Sequence, residues 1–439
     1  MTVSIETVRT EGLGDSTYIL THDGLAVVVD PQRDTDRFEQ VLNDADASLR
    51  LVLETHLHND YVSGGKNLAS RHDAELVMPA GAAPVFRHRP AFHREDIDIG
   101  GLVIRPLHTP GHTPEHTSYV VVVEGEEVAV FSGGSLLVGS AGRSDLLGPE
   151  RAETLARLQY GSVNRLATLP DSVGLYPTHG AGSFCTTSGA SQYSSTIGEE
   201  KKTSPVLAYG DEDSFVKGQL SGLVAYPSYY RYMGPLNVLG VDSPDLGVEI
   251  VDRFDPESTV VDARPREDFA RGHLDGALSI ELGESFGVWT GWLTPFNTPL
   301  TLVLNEDQDT IEAMRQLARI GYDDVRGVLR PSPDFDSSFR TVDTAAFARA
   351  VAKGAQILDV RAPHEWEEGA IDGSVLEYLP DLAESTPEEL DPDLPVWVLC
   401  ASGFRSTTAA SILQARGFEP VVLSREGATE VLRQASKQT

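Results

Sequence analysis

Short hydrophobic runs separated by turn residues predict an α/β protein along the chain. Near the N-terminus, residues 18–20 and Leu25–Val29 flank the dipeptide Asp23-Gly24, which is typical of a tight hairpin turn. Residues 34–44 carry apolar side chains at helical spacing. A further apolar run at 50–54 predicts a buried strand that leads directly into a histidine-rich loop.

That loop and later loops carry side chains that can bind a metal: His56, His58, Asp60, His112 and His179. Loops at strand ends are where layered α/β proteins hold functional residues. Imidazole suits zinc, iron and similar ions. A single histidine is usually structural, but this set on separate segments predicts a metal site.

The last part of the chain is an internal repeat. Residues 261–264 (Val-Asp-Ala-Arg) correspond to 358–361 (Leu-Asp-Val-Arg), and 272–277 correspond to 369–374 with the same offset. Each copy alternates short strands with helical segments, as in a parallel-sheet α/β unit. We therefore expect three domains, over residues 1–240, 245–335 and 341–435.

In the last copy, Cys400 stands between a predicted strand at 395–399 and a predicted helix at 407–415. Backbone N–H groups and the helix dipole favour a thiolate or persulfide anion at such a position. Arg405 adds a positive charge. We predict a catalytic Cys400 with Arg405, and the alternative is a buried core cysteine. The predicted persulfide loop contains Ala401, Ser402, Gly403, Phe404 and Ser406.

This segment resembles the rhodanese family, whose motifs match at Asp359, Arg361, residues 365–366 and residues 400–406. The resemblance implies transfer of sulfane sulfur through a persulfide on Cys400. The first copy has Asn305 at the cysteine position, followed by acidic residues, and is similar to a non-catalytic rhodanese domain.

The N-terminal part resembles the metallo-β-lactamase fold, and more narrowly its persulfide dioxygenase branch. The matching segments are residues 55–60, 109–113, 142–145 and 176–179. The resemblance implies an αββα sandwich, followed here by two rhodanese-like parallel-sheet α/β domains. It also implies one Fe(II), held by His56, His112 and an aspartate, that uses O₂ to oxidise a thiol-bound persulfide to sulfite.

Two positions depart from that pattern. Gly134 stands where the branch has the aspartate ligand, and Tyr61 stands where the fold usually has histidine. His58, Asp60, His116 or His179 could complete a rearranged site. Fe(II) is the expected metal, zinc is the alternative, and a domain without metal is the third possibility.

Cys185 follows His179 in a Gly-Ala-Gly-Ser-x-Cys segment. Fusions of a persulfide dioxygenase with rhodanese domains carry a similar segment. The resemblance implies that Cys185 lies near the metal and takes part in sulfur transfer. The alternative is a buried bystander.

The net charge of −31 argues against nucleic acid or an anionic membrane as partner. No apolar run reaches the roughly 18 residues of a membrane span, and residues 1–10 do not form a signal peptide. A cytoplasmic location is therefore expected. Two cysteines exclude a disulfide framework.

Three functions are compatible with the sequence. The first is a persulfide dioxygenase joined to a sulfurtransferase, with a glutathione, coenzyme A or related persulfide as substrate and sulfite or thiosulfate as product. The second is a sulfurtransferase alone, with a metal-free N-terminal domain. The third is a thioesterase-type metallohydrolase joined to rhodanese. A homo-oligomer is possible in each case.

Overall fold

The computed structural model describes residues 3–186, 192–333, 335–423, 425 and 427–435. The chain divides into two compact units, residues 1–245 with 315–321 and residues 246–314 with 322–439. Both copies of the internal repeat contribute to the second unit. None of the described helices combines the length and the apolar character needed to cross a lipid bilayer.

Two six-stranded sheets form the first unit. The first sheet contains, in spatial order, β1 (Ser4–Thr10), β2 (Asp15–His22), β3 (Leu25–Val29), β4 (Ser48–Leu53), β5 (Glu75–Pro79) and β6 (Arg89–Ala91). The next strands along the chain are β7 (Ile97–Asp98), β8 (Leu102–His108), β9 (Thr117–Val123), β10 (Glu126–Gly133), β11 (Leu136–Leu137), β12 (Ser140–Ala141), β13 (Gly174–Pro177) and β14 (Ser195–Thr196). The second sheet has the order β14-β13-β10-β9-β8-β7, and β11 pairs with β12.

The predicted hairpin is confirmed. Strands β2 and β3 pair antiparallel, with Tyr18 opposite Val29 and His22 opposite Leu25. Both turn residues have positive φ, 49° at Asp23 and 76° at Gly24. Asp and Gly accept this left-handed conformation at low cost, and it matches the twist of the two strands.

Helices cover the outer faces of both sheets. They are α1 (Asp36–Asp44), α2 (Gly65–Arg71), α3 (Pro149–Leu166), α4 (Ile197–Thr203), α5 (Glu212–Ser221) and α6 (Tyr230–Leu239), with a 3₁₀ turn at Pro205–Leu207. Phe38 and Leu68 pack on the outer face of the first sheet, and Val163 and Phe215 pack on that of the second. Because strand side chains alternate, the inner faces form a separate core. The first unit is therefore the expected αββα sandwich.

The second unit contains two five-stranded parallel sheets of the same strand order. Its strands are β15 (Ile250–Val251), β16 (Thr259–Asp262), β17 (Leu278–Ser279), β18 (Leu300–Val303), β19 (Val325–Leu329), β20 (Arg340–Val342), β21 (Gln356–Asp359), β22 (Val375–Leu376), β23 (Val396–Leu399) and β24 (Pro420–Leu423). The orders are β15-β19-β18-β16-β17 and β20-β24-β23-β21-β22. The remaining helices are α7 (Arg266–Arg271), α8 (Phe286–Leu293), α9 (Thr310–Arg319), α10 (Thr344–Ala352), α11 (Pro363–Glu367), α12 (Leu379–Glu384), α13 (Phe404–Ala415) and α14 (Ala428–Ala435).

The same ion pair holds the first loop of each copy. Arg264 Nη2 lies 2.6 Å from Asp262 Oδ2 and donates to the Gly272 carbonyl at 2.8 Å. In the second copy, Arg361 Nη2 makes the same two contacts at 2.7 and 2.8 Å. The motifs that revealed the repeat therefore fix the same local structure twice.

Candidate functional site

Three loops bring the histidines to one edge of the sandwich. His56 and His58 follow β4, His112 and His116 lie between β8 and β9, and His179 follows β13. All five side chains are buried, with at most 1% of their surface exposed. The structure therefore assembles the histidines that the sequence placed on separate segments.

His56, His112 and His179 form one group of candidate metal ligands, and two further groups are Asp30 with His56 and His58, and His58 with Asp60 and His179. The ligand atoms of each group lie within 4.8 Å of one another, and the Nε2 atoms of His56 and His179 are 3.3 Å apart. Burial, followed by the neighbouring histidines, holds the pKa values of His56 and His112 well below the ordinary value. Burial also lowers the pKa of His179. Neutral imidazoles at this spacing are suitable metal ligands.

The Nδ1 atom of each of these three rings contacts a hydrogen-bonding partner outside the group. His56 Nδ1 contacts Thr55 Oγ1 at 2.9 Å, His112 Nδ1 contacts the Arg143 carbonyl at 2.7 Å, and His179 Nδ1 contacts Asp15 Oδ1 at 2.8 Å. Such outer contacts fix the orientation of metal-binding histidines in proteins. The three Nε2 atoms are thereby turned toward one another.

The Gly-Arg-Ser-Asp motif at 142–145 explains the contact to His112. Arg143 is fully buried, and its guanidinium is paired with Asp145 through two bonds of 2.7 Å. Arg143 Nη1 also donates to the Phe184 carbonyl at 3.0 Å. These bonds fix the backbone of Arg143, so its carbonyl oxygen stays directed at His112.

His58 belongs to a different network. Its Nε2 lies 3.0 Å from the Tyr61 hydroxyl, 3.2 Å from Asp30 Oδ1 and 3.3 Å from Glu54 Oε2. Burial opposes the charged form, but Asp30 and Glu54 raise the pKa of His58 well above its ordinary value. His58 is therefore an ion-paired imidazolium whose Nε2 is engaged with these partners.

His116 supports the backbone at the end of β10. Its Nε2 accepts a hydrogen bond from the Gly134 N–H at 2.9 Å, and its Nδ1 contacts Thr109 Oγ1 at 2.9 Å. Burial lowers the pKa of His116 to about 3. Both ring nitrogens have protein partners, so the structure supports His116 as a structural residue and not as a substitute ligand.

A carboxylate ligand at position 134 does not fit this arrangement. A Cβ atom built on Gly134 would lie 2.3 Å from His112 Cδ2. The His112 ring therefore occupies the space that a longer residue at 134 would need. A metal does fit the histidines, because the buried Nε2 of His112 has no hydrogen-bond partner among the described residues.

Cys185 and Asp60 lie beside the histidines. The Cys185 thiol donates to Asp60 Oδ2 at 3.4 Å, and Asp60 Oδ2 is 3.3 Å from His179 Nδ1. Burial, reinforced by Asp60 and Asp15, raises the pKa of Cys185 well above its ordinary value. Cys185 is therefore a protonated hydrogen-bond donor in this structure. Burial also raises the pKa values of Asp15 and Asp60 to about 7.

The sequence argument missed three acidic residues of this site, namely Asp15, Asp30 and Glu54. Asp30 accepts hydrogen bonds from the backbone N–H and the hydroxyl of Thr55, both at 2.7 Å. Each of the three stands at the start or directly after the end of a strand, at β2, β3 and β4. An acidic residue directly after a buried apolar run was the available signal.

The Cys400 loop lies in the second unit, between β23 and α13. Helix α13 begins at Phe404, three residues earlier than predicted, so the loop is short. Gly403 has a φ of 91° and donates its backbone N–H to Cys400 Sγ at 3.1 Å. The thiol lies 3.6 Å from Ser406 Oγ. Cys400 is buried at the base of the loop, whereas Ala401 and Ser402 are exposed.

Arg405 is paired with a carboxylate. Its guanidinium binds Glu365 through two contacts of 2.5 and 2.9 Å. Burial opposes ionisation of Glu365, but the hydrogen bond from Arg405 and the contacts of the Ala362 backbone lower its pKa. The positive charge predicted beside Cys400 is therefore largely offset by Glu365.

The corresponding position of the first copy carries no sulfur chemistry. Asn305 Nδ2 donates to Asp268 Oδ2 at 3.0 Å, and its backbone N–H donates to Gln308 Oε1 at 2.9 Å. The amide thus ties the strand end to α7.

Comparisons with known proteins match two regions of the chain. Residues 10–179 match the family model of the metallo-beta-lactamase superfamily. Residues 343–434 match that of the rhodanese-like domain. The chain thus contains one region similar to the metallo-beta-lactamase superfamily and one similar to the rhodanese-like domain. Both are families of enzymes.

The similar proteins agree with this division. A metallo-beta-lactamase structure from Staphylococcus aureus subsp. aureus COL has a TM-score of 0.70 at 26% identity, covering 76% of this chain and 100% of that one. Human mitochondrial persulfide dioxygenase ETHE1 is 28% identical over 228 residues, which are 50% of this chain and 81% of that protein.

A hydroxyacylglutathione hydrolase from Methylobacillus flagellatus is 30% identical over 164 residues, or 37% of this chain. A probable metallo-hydrolase from Burkholderia pseudomallei is 30% identical over 197 residues, or 39% of this chain. The chain spans between 56% and 64% of the length of the first four curated relatives that it matches.

Proposed function

We propose that the protein oxidises a low-molecular-weight persulfide at the histidine site and transfers sulfane sulfur through Cys400. The Cys400 loop is the observation that carries the sulfur chemistry, because the Gly403 N–H and the N-terminus of α13 face the sulfur atom. Such groups stabilise a thiolate or a persulfide anion. The similarity to human persulfide dioxygenase supports the same class of substrate for the first unit.

In the proposed transfer, the Cys400 thiolate attacks the outer sulfur of a persulfide, R–S–SH. The S–S bond breaks, the thiol RSH leaves with the proton, and Cys400 carries the persulfide. A second nucleophile removes the outer sulfur and regenerates the thiolate, and sulfite as acceptor yields thiosulfate. The backbone N–H of Gly403 donates to Cys400 Sγ and stabilises the attacking thiolate.

In the proposed oxidation, a persulfide, O₂ and water yield the thiol, sulfite and two protons. Iron, when bound to the histidines, supplies the activation of O₂ and a binding site for the sulfur. The buried Asp15 and Asp60 lie behind His179 and are suited to hold or release a proton there. The carrier thiol, a cytoplasmic location, self-association and a sulfur-transfer role for Cys185 stay predictions.

Sulfurtransferase activity alone is the second candidate, and the absence of a carboxylate at Gly134 favours it. The hydrolase alternative has less support. Zinc hydrolases of the two-metal class need a further carboxylate ligand, and Gly134 has no side chain to supply it.

Two assays on full-length protein loaded anaerobically with Fe(II) test the proposal. One follows O₂ uptake and sulfite formation with glutathione persulfide, and the other follows thiosulfate:cyanide sulfur transfer. We expect Cys400→Ser to abolish the transfer and to leave persulfide-dependent O₂ uptake intact. The control is Asn164→Ser, because Asn164 is exposed on α3 and contacts the Tyr160 carbonyl of the same helix, so this change should alter neither rate.

Transfer at the wild-type rate in Cys400→Ser would show that the assigned role of Cys400 is wrong. Intact transfer without O₂ uptake by the iron-loaded wild type would leave the second candidate, a sulfurtransferase alone.

A further inference from the structure

The protonation of the three rings follows from their outer partners. The Arg143 carbonyl oxygen can only accept a hydrogen bond, so the Nδ1 atom of His112 must carry the proton. Its Nε2 atom then presents a lone pair. That atom is buried and has no hydrogen-bond partner among the described residues.

The same reasoning applies to His56. Thr55 Oγ1 donates its proton to Asp30 Oδ2 at 2.7 Å, so toward His56 it can only accept. The Nδ1 atom of His56 therefore carries the proton. Its Nε2 atom presents a second lone pair to the centre of the cluster.

His179 completes the set. Its Nδ1 faces two carboxyl oxygens, Asp15 Oδ1 at 2.8 Å and Asp60 Oδ2 at 3.3 Å, and the ionised form of these groups favours a proton on that atom. Its Nε2 then also presents a lone pair, at 3.3 Å from Nε2 of His56. Two lone pairs at this distance repel each other unless a cation lies between them. Two nitrogen ligands at ~2.1 Å from one metal are themselves about 3.0–3.4 Å apart.

We propose that His56, His112 and His179 form a three-histidine metal centre in which His179 replaces the missing carboxylate ligand. The inference rests on the proposed function for the choice of iron, but the ligand set follows from the geometry alone. Position 134 cannot supply the third ligand, because the His112 ring lies where its side chain would begin. His116 has protein partners at both ring nitrogens, whereas His58 has them at Nε2 and not at Nδ1 among the described residues.

A centre of this kind carries the full divalent charge, because all three ligands are neutral. It therefore favours an anionic ligand such as a persulfide more strongly than a centre with a carboxylate ligand. Asp15 and Asp60 contact Nδ1 of His179 and orient that ring.

The test measures metal binding on the full-length protein under anaerobic conditions. Co(II) is the probe, because its visible absorption reports the number and type of ligands, and equilibrium dialysis with Fe(II) gives the stoichiometry. We expect about one metal per chain in the wild type. His56→Ala, His112→Ala and His179→Ala should each weaken binding by more than the roughly 10–100-fold typical of an outer partner.

His72→Ala is the matched control, because His72 is a partly exposed histidine at the end of α2 in the same unit, and it should bind like the wild type. If His179→Ala fails to fold, His179→Gln retains a similar volume and a hydrogen-bonding group near Asp15, and it should lose the metal as well. Wild-type affinity and spectrum in a folded His179 variant would overturn the inference. So would a wild type that binds no metal, or two.

The same variants separate this inference from the proposed function. If the wild type binds the metal and the histidine variants lose it, but the iron-loaded wild type shows no O₂ uptake, the proposed oxidation is refuted. The proposed ligand set is then still supported. Persulfide-dependent O₂ uptake in the His179 variant, with its metal retained, refutes the ligand set and leaves the oxidation standing.

Discussion

At the residue scale, the absence of a side chain at Gly134 leaves space for the neighbouring His112 ring. With no Cβ at 134, the His112 ring lies against the backbone, and a Cβ there would approach it to 2.3 Å. The sequence predicted the missing carboxylate. It did not predict the position of the ring, because that depends on the Arg143 carbonyl, 31 residues away along the chain.

A methyl group at this position should therefore act on the metal site. We expect Gly134→Ala to displace the His112 ring and to weaken Co(II) binding by roughly 10–100-fold, the range seen when the orientation of a ligand is disturbed. The readout is a Co(II) titration together with a thermal unfolding scan. Gly161→Ala is the control, because a Cβ at this helical position of α3 meets nothing within 4 Å. Wild-type affinity in a folded Gly134→Ala protein would contradict the steric argument.

At the scale of helices and strands, the structure is predicted best from patterns formed by residues that are close together in the sequence. The hairpin at Asp23-Gly24, the strand that leads to His56 and the repeated Asp-Arg motif are all found in the structure. The αββα layers followed from a resemblance, since periodicity alone does not give the strand order. The partners of His58 and Arg405 could not be predicted, because Asp30 and Glu365 meet them only through tertiary packing.

Helix α7 of the first copy supports the Cys400 loop within the second unit. Arg266 Nη1 donates to the Ser402 carbonyl at 2.8 Å, while its Nε contacts Glu281 Oε2 at 2.7 Å. A single hydrogen bond contributes about 0.5–1.5 kcal/mol net. We therefore expect the copy without a cysteine to help orient the loop of the other.

We expect Arg266→Gln to lower the kcat/KM of thiosulfate:cyanide transfer by about 2- to 10-fold, corresponding to the loss of one hydrogen bond. Cys400 should still be labelled by a thiol reagent to the same extent, which distinguishes a displaced loop from an unfolded one. Arg271→Gln is the control, because Arg271 lies on the same helix with 75% of its side chain exposed and pairs with Asp268. An unchanged rate in Arg266→Gln would show that the contact does not position the loop.

At the scale of the whole molecule, composition shows how many charges there are but not which of them are buried. The chain has 66 acidic and 35 basic residues, so loss of negative charge at low pH relieves repulsion between most of them. Asp34 of the first unit differs from these acidic residues, because its neighbours are two arginines. It is fully buried between Arg319, at 2.7 Å, and Arg37, at 2.6 Å, and no local pattern predicts a partner 285 positions away.

The stability contributed by Asp34 should depend on pH in a defined direction. Burial opposes its ionisation, but the charges and hydrogen bonds of Arg319 and Arg37 hold the pKa of Asp34 below the ordinary value. A lowered pKa in the folded state means that the stabilisation is complete above the ordinary aspartate pKa of about 3.9. It is lost as the pH falls through the folded value.

We therefore expect Asp34→Asn to destabilise the first unit by about 3 kcal/mol at neutral pH, as for a buried pair that loses one partner. The difference from wild type should shrink below about pH 4. Calorimetric unfolding scans between neutral and acidic pH measure this. All four tryptophans, at 289, 292, 366 and 397, lie in the second unit, so tryptophan fluorescence identifies which transition belongs to it. Asp36→Asn is the control, because Asp36 is half exposed and pairs with Arg315 at the surface, where such pairs contribute little. A difference that stays constant into the acidic range would show that Asp34 stabilises the unit by packing and not by its charge.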